Sequence, residues 1–358
     1  MHKVYPVNIA HLLEVTVRLN ASDLHLTADT SPTIRRLGKL ELLDYPAISP
    51  TNMEMLLQEI LNEQQMLLFQ KSMELDMSFS ISGLARFRGN LMKQRGASAA
   101  VFRVIPFEVP YIEQLGLPAN IEDLCQLSCG LVLVTGPAGS GKSSTLAAMI
   151  NLMNRTRNIN IITIEDPIEF IYENNKAIIK QREVGSDTHS FAGAMRHVLR
   201  HDPDVILIGE MRDRESISMA LSAAETGHLV LSTLHTQTAP STISRIIDVF
   251  QNDSKDQVRQ QLSNTLKGVI SQQLLPETDA KKRIVAVELM YSVPAIRSMI
   301  REGKEHQLYS AMQTGRAVGM QTMDQALAGL VSQGKISKQT AVGHCIDKLE
   351  IERLLEIC

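Results

Sequence analysis

Between the apolar run LVLVT, Leu131 to Thr135, and a helical stretch starting near Lys142, the chain reads GPAGSGKSS. No other segment constrains the fold as strongly. The spacing G-x-x-x-x-G-K-[ST] over Gly136 to Ser143 requires a strand, a loop and a helix in that order. Only there do glycines let backbone amides curl around one point while a helix N-terminus adds partial positive charge. Gly136, Pro137, Ala138, Gly139, Ser140, Gly141, Lys142, Ser143 and Ser144 are therefore the expected phosphate-binding segment. The Lys142 ammonium is expected to reach the β and γ phosphates of a nucleotide, and the Ser143 hydroxyl to sit on Mg2+.

From Leu131 onward, short apolar runs (LVLVTG, INIITIEDP, DVILIGE, LVLSTLHT) alternate with segments long enough for crossover helices. That pattern predicts a parallel sheet covered on both faces. Ligands of such sheets bind at the carboxyl ends of the strands, and this rule sorts the polar residues. Asp204 starts its strand and falls at the far end, whereas Glu210 follows its strand and is placed to hold the magnesium water shell. TIEDPIEF carries Glu165, Asp166 and Glu169 past a strand end, where one of them can orient or deprotonate a water. In GHLVLSTLHT a histidine closes each end of a strand. At about 3.3 Å per residue the two rings are roughly 23 Å apart and on opposite faces, so they share no metal. His235, at the carboxyl end, is expected with Thr233 to sense the γ-phosphate. His228 is expected to bond backbone or to support a subunit contact.

The first 105 residues predict a smaller α/β unit. Ser49 before Pro50 marks a helix start, with Met53, Leu56, Leu57, Ile60 and Leu61 at helical spacing. SFSISGLARFRGN predicts a hairpin, with Ala85 and Phe87 on one face and Arg86 and Arg88 on the other, and AAVFRVI a further strand. PFEVPYIEQLGLP, 106–118, has the composition of a linker. Residues 119–358 form the second unit, ending in short helices beyond Ser292 and one amphipathic helix near Lys338 to Ile357. In a chain of 358 residues, 44% hydrophobic and with a net charge of -3, no basic footprint marks a nucleic-acid binder. No apolar run approaches a membrane span and the N-terminus lacks a signal-peptide core, so the chain is expected in the cytosol. Its four cysteines, Cys125, Cys129, Cys345 and Cys358, are spaced as unliganded thiols.

GPAGSGKSS, TIEDPIEF, DPDVILIGEMRD and AETGHLVLSTLHT resemble, in order and spacing, the Walker A, Asp box, Walker B and His box of type II/IV secretion ATPases. SDLHLT, QREVGSDTHSF, PAIRSMIREGK and GMQTMDQAL are similar to motifs of the pilus retraction branch, the PilT family. The resemblance implies an N-terminal PAS-like α/β domain, a C-terminal RecA-like P-loop ATPase domain and a homohexamer with ATP between subunits. It also implies cytoplasmic work at the inner membrane on a type IV pilus, through a membrane platform protein, with a paralogous retraction ATPase as a candidate partner. Carried onto this chain, Glu165 and Glu169 are the Asp-box acids, with Glu169 preferred as base. Glu210 is the Walker B acid, and His228 and His235 are the His-box imidazoles. Arg86, Arg88 and Arg103 are candidate arginine fingers, given the interdomain nucleotide cleft that the family implies. An accessory retraction paralogue, an assembly ATPase and a nucleic-acid translocase stay open as alternatives.

Overall fold

The computed structural model describes residues 8–36, 38–105, 108–251, 254–278 and 282–357. The chain divides into two compact units, Met1–Glu108 and Val109–Cys358. In the first, α1 (Ile9–Arg18), α2 (Pro50–Gln58) and α3 (Glu63–Ser72) accompany β1 (Asp23–Thr27), β2 (Thr33–Arg36), β3 (Lys39–Leu42), β4 (Glu74–Ile81), β5 (Ala85–Gln94) and β6 (Ala97–Ile105). The strands form one antiparallel sheet of order β3-β2-β1-β6-β5-β4. The hairpin β4–β5 and the strand β6 are those read from the sequence. Along β5 the period of two sends Ala85, Phe87 and Leu91 into a core shared with Leu24, Leu26 and Phe102, and turns Arg86 and Arg88 away from it. Helix α2 starts as expected, with the Ser49 hydroxyl accepting the Asn52 N–H, but it stops at Gln58. Ile60 and Leu61 lie beyond it because Asn62 and Gln65 form the capping box of α3 immediately afterwards.

The second unit is built on a seven-stranded sheet of order β13-β12-β7-β11-β10-β8-β9. Its strands are β7 (Gly130–Thr135), β8 (Asn160–Glu165), β9 (Ile178–Glu183), β10 (Val205–Ile208), β11 (Leu229–Leu234), β12 (Leu266–Pro276) and β13 (Arg283–Tyr291). All neighbours are parallel except β12 and β13. The continuous apolar runs are explained by burial on both faces. Leu131 and Leu133 of β7 and Ile206 and Ile208 of β10 enter one core, under α6 (Phe191–Val198), α7 (Arg214–Glu225), α8 (Ala239–Asp248), α9 (Lys255–Thr265), α10 (Pro294–Arg301) and α11 (Leu308–Thr314). Val132, Val134, Val205 and Leu207 enter the other, under α4 (Ile121–Cys125) and α5 (Lys142–Thr156).

The stretch expected as a linker is corrected by the structure. Residues 106–107 lie outside the described residues, but from Val109 the chain belongs to the second unit, and Ile112 and Leu117 are buried in its core. Two apolar residues spaced among prolines therefore anchor the segment. Cys125, Cys129 and Cys345 carry free thiols, and Cys358 lies outside the described residues.

A smaller core joins the ends of β12 and β13 to α12 (Met323–Ser332), α13 (Lys338–His344) and α14 (Lys348–Ile357). The single helix expected over 338–357 is thus two. The break falls where the buried Asp324 carboxylate accepts the N–H groups of Ile346 and Asp347 at 2.8 and 2.9 Å, while Asp347 accepts that of Leu349 at the start of α14. Side-chain oxygens far apart in sequence thereby take backbone donors that a continuous helix would have used.

Glu288 of β13 is fully buried, and its two oxygens accept the first helical N–H groups of α8 and α12, Ala239 at 2.6 Å and Met323 at 3.2 Å. Burial pushes its carboxyl up from 4.5 to about 7, against those two hydrogen bonds and with help from the charge of Asp324. A folded-state pKa above the unfolded one means that the native chain holds an extra proton between about pH 4.5 and 7, so this contribution to stability falls as pH rises through that window. Glu288→Gln is expected to remove that slope, a change on the order of 3 kcal/mol across the window. Denaturant unfolding at pH 5 and pH 7.5 checks it: a wild-type-minus-variant difference that is the same at both pH values rejects the titration.

Candidate active site

Parallel pairing sets the site. Thr135 of β7 lies opposite Leu234 of β11, and Ile208 of β10 opposite both Ser232 of β11 and Ile164 of β8. Strands in that register end together, so the residues following each of them, Gly136, His235, Gly209 with Glu210, and Glu165 to Glu169, emerge at one edge of the sheet.

The loop 136–141 curls between β7 and α5. Gly136, at φ 142°, could not be another residue, because a Cβ there would come within 2.3 Å of the Gln272 carbonyl oxygen and 2.6 Å of Ser140 Oγ. Helices such as α1, α7 and α8 open on a side-chain cap, Asn8, Asp213 and Thr238 respectively. Helix α5 opens on Gly141, in the left-handed region and with no side-chain cap. Its first N–H groups are left for an anion, where the helix dipole also favours one.

Lys142, only 8% exposed, donates to the carbonyls of Gly136 at 2.9 Å and Pro137 at 3.1 Å, and its Nζ lies 3.2 Å from His235 Nδ1. An ammonium has no lone pair, so Nδ1 accepts and the imidazole proton sits on Nε2. That nitrogen faces Glu210 Oε1 at 3.3 Å, and the other oxygen of Glu210 accepts from Arg212 at 2.8 Å. Four residues from three strand ends thus form one chain: Lys142, His235, Glu210, Arg212. Burial lowers the Lys142 pKa, and the charges of Glu210 and Glu169 partly restore it. For Glu210, burial opposes the charge, but the hydrogen bond and charge of Arg212, then the contact with His235, outweigh it and hold the carboxyl below its ordinary range.

The two Asp-box acids stand differently. Glu165 is half-buried, with its carboxylate bonded by the Thr163 hydroxyl at 2.6 Å, by Gln181 Nε2 at 3.2 Å and by the Glu169 N–H, while burial raises its pKa. Glu169 is exposed and near enough to Lys142 to act on its charge. Thr233, expected to face the γ-phosphate, donates its hydroxyl proton to the Gly209 carbonyl at 2.6 Å. His228 lies at the far end, with Nδ1 3.0 Å from the Ala223 carbonyl oxygen. Asp204 is also at that end, accepting the Asn160 N–H at 2.8 Å.

The three arginines sit in the first unit. Arg86 donates to Ser78 Oγ at 2.6 Å, Arg88 is exposed and directly opposite Arg103, and Arg103 pairs with the buried Asp23 at 2.9 Å. All three side chains share one face of that sheet. Sequence reading missed Arg212, although it stands two residues from Glu210 in GEMRD and that spacing was a signal. It also missed Gln181 and Gln272, which meet the site only through strand pairing, and Thr145 of α5, whose hydroxyl donates to Gln272.

A phosphate loop on the carboxyl edge of a parallel sheet, with an imidazole and an acid from neighbouring strands on its lysine, defines a P-loop nucleotide hydrolase. The chain belongs to the type II/IV secretion system protein family, whose model matches residues 9–342. It is 48% identical to the "Type IV pilus retractation ATPase PilT" of Pseudomonas aeruginosa, over 94% of this chain and 97% of that protein. To the "Type IV pilus ATPase PilU" of the same organism it is 38% identical, over 97% of this chain and 91% of the other. A crystal structure of the pilus retraction motor PilT with bound ADP superposes with a TM-score of 0.92 at 46% identity, covering 97% of this chain and 99% of the other.

Arg212→Ala tests the electrostatics of the site. Without its partner the Glu210 carboxyl rises toward its ordinary range, so protonation intrudes at higher pH and the acid limb of the kcat/KM profile for ATP shifts upward. An acid limb in the same place shows that Glu210 does not govern it.

Proposed function

We propose that this chain hydrolyses ATP to drive type IV pilus retraction and the twitching motility that depends on it. It works as a homohexamer at the cytoplasmic face of the inner membrane, against a membrane platform protein at the pilus base. The observation that carries the chemistry is the contact of the Lys142 ammonium with His235, and through it with Glu210. The task is supported by the end-to-end likeness to the retraction ATPase. Among the described residues no helix is long and apolar enough to cross a membrane, so attachment to the pilus base falls to surface contacts.

In this reading the loop amides and the N-terminus of α5 hold the phosphates of ATP. Phosphoryl transfer asks for positioning and neutralisation of charge rather than covalent help, and the site is built accordingly. An arriving γ-phosphate competes for the protons that Lys142 now gives to Gly136, Pro137 and His235, so the imidazole is released when ATP is present and recaptured when phosphate leaves. Ser143, through its hydroxyl, and Glu210, through water, are placed to hold Mg2+, which neutralises charge on the phosphates when bound. Glu169, unburied and near Lys142, orients the attacking water, whereas Glu165 is held by Thr163, Gln181 and the Glu169 N–H and shapes the loop. Arg86, Arg88 and Arg103 neutralise phosphate charge of the same or a neighbouring subunit. An accessory role beside a retraction paralogue is the second reading. Identity of 38% to PilU against 48% to PilT favours the first.

Lys142→Ala is expected to abolish nucleotide binding or turnover. Glu210→Gln is expected to keep binding and lose about 10²- to 10³-fold in turnover, as when one group is removed from a transition-state charge site. Alanine at Arg86, Arg88 or Arg103 in a preformed hexamer lowers turnover far more than assembly if these residues reach phosphate. Wild-type rates in the Lys142 and Glu210 variants sink the site, and wild-type rates in all three arginine variants return those residues to the sheet surface.

Output is separable from fuel. Helix α10 buries Ile296 and Ile300 against the second unit and leaves Arg297 exposed, with Nε donating to the Ser292 carbonyl at 2.8 Å. Arg297→Glu is expected to leave ATPase activity, hexamer formation and melting temperature near wild type while abolishing twitching. Loss of ATPase together with a lower melting temperature makes Arg297 a brace of the fold, and normal twitching removes the helix from force output.

A further inference from the structure

A phosphate loop faces its ligand on one side and must rest on something on the other. Strand β12 supplies that support. It runs parallel to β7, Ile270 opposite Val134 and Ser271 opposite Thr135, and its next residue already lies beyond the point where β7 turns into the loop. That next residue is Gln272, 1% exposed in a strand position where an apolar side chain is the norm.

Both ends of its amide are used. Nε2 donates to the Ser140 carbonyl at 2.6 Å, and Oε1 accepts from the Thr145 hydroxyl, in the first turn of α5, at 2.9 Å. The carbonyl of Ser140 is acceptor only, so this orientation of the amide is the one its partners allow. The Gln272 backbone carbonyl lies against Gly136, and its Nε2 stands 3.2 Å from where a Cβ of Gly141 would be. One residue thus touches the start of the loop, its end and the helix that follows.

The consequence is directional. In a trans peptide the C=O and N–H point opposite ways, so holding the Ser140 carbonyl toward β12 turns the Gly141 N–H away from β12, into the mouth of the loop. We propose that Gln272 is a positioning residue for nucleotide binding. It fixes the Ser140–Gly141 peptide so that the loop amides are presented to a nucleoside di- or triphosphate before one binds, which removes ordering cost from the binding step. The inference rests on the nucleotide-site reading above and adds to it a residue outside the motif.

The test uses the full-length chain and ADP as probe. Gln272→Met keeps the length of the side chain and removes the donor to Ser140. Gln272→Glu keeps an acceptor for Thr145 but sets a carboxylate oxygen against the Ser140 carbonyl. Loss of one buried hydrogen bond at a pre-organised site is expected to weaken ADP binding about 10- to 100-fold in calorimetry and to raise the KM for ATP more than it lowers kcat. The larger effect is expected from Gln272→Glu. The melting temperature without nucleotide should fall little. Unchanged ADP affinity in both variants overturns the proposal, as does a large fall in melting temperature with affinity intact, or failure of both variants to fold, since Gln272 is then a packing residue. Wild type and Lys142→Ala are measured alongside: if wild type does not bind ADP, or Lys142→Ala binds it as wild type does, the nucleotide-site reading itself fails, whatever Gln272 does.

Discussion

The ammonium of Lys142 is the charge around which the second unit is arranged. A buried cation is costly to hold, and this one is held by two carbonyls of its own loop, an imidazole from β11 and the field of two carboxylates. Each partner comes from a different strand end. The parallel register makes that possible, because four strands that finish together deliver four short loops to one edge. A slip of one residue in any of them would turn its loop residue to the other face.

The same edge explains how chemistry is separated from the rest of the unit. Residues at the amino ends of the strands, His228 and Asp204, bond to backbone, and His228 also lies against the Thr226 hydroxyl. Away from the edge, on β13, the buried Glu288 ties the first turns of α8 and α12 together, and Ala239 of α8 is four residues past His235. Thus the helix that follows the His235 loop and the helix that begins the C-terminal core share one carboxylate. Buried polar groups of this kind must be satisfied fully, and that requirement fixes where the helices start.

Much of the site was legible before any coordinates. GPAGSGKSS implies its own strand, loop and helix, and the strand-end rule separated Glu210 and His235 from Asp204 and His228 without a distance. Elsewhere local patterns misled. Ile60 and Leu61 keep the helical spacing of α2, yet Asn62 starts a new helix. The prolines of 106–118 suggested a linker, although Ile112 and Leu117 are core residues. Residues 338–357 read as one helix because nothing local reveals that Asp324, more than twenty residues away, takes the N–H groups of Ile346 and Asp347. Local pattern does not mark β12, because Ser271, Gln272 and Gln273 interrupt its apolar run, and two of these are the residues that meet Thr135 and the phosphate loop. Local rules fail most where a strand gives up apolar character to support a site.

By itself the sequence determined the class of the fold, the phosphate loop and which polar side chains lie at the carboxyl edge of the sheet. These rest on spacing within one strand–loop–helix unit or on apolar periodicity, both of which are properties of adjacent residues. Only the tertiary structure decided which groups share a proton or a charge: that His235 accepts from Lys142, that Arg212 holds Glu210, that Gln272 supports Ser140. Such pairs are set by which strands lie side by side. The order β12-β7-β11-β10-β8 is a consequence of burying two faces of one sheet at once, a condition on the whole chain that no local stretch records.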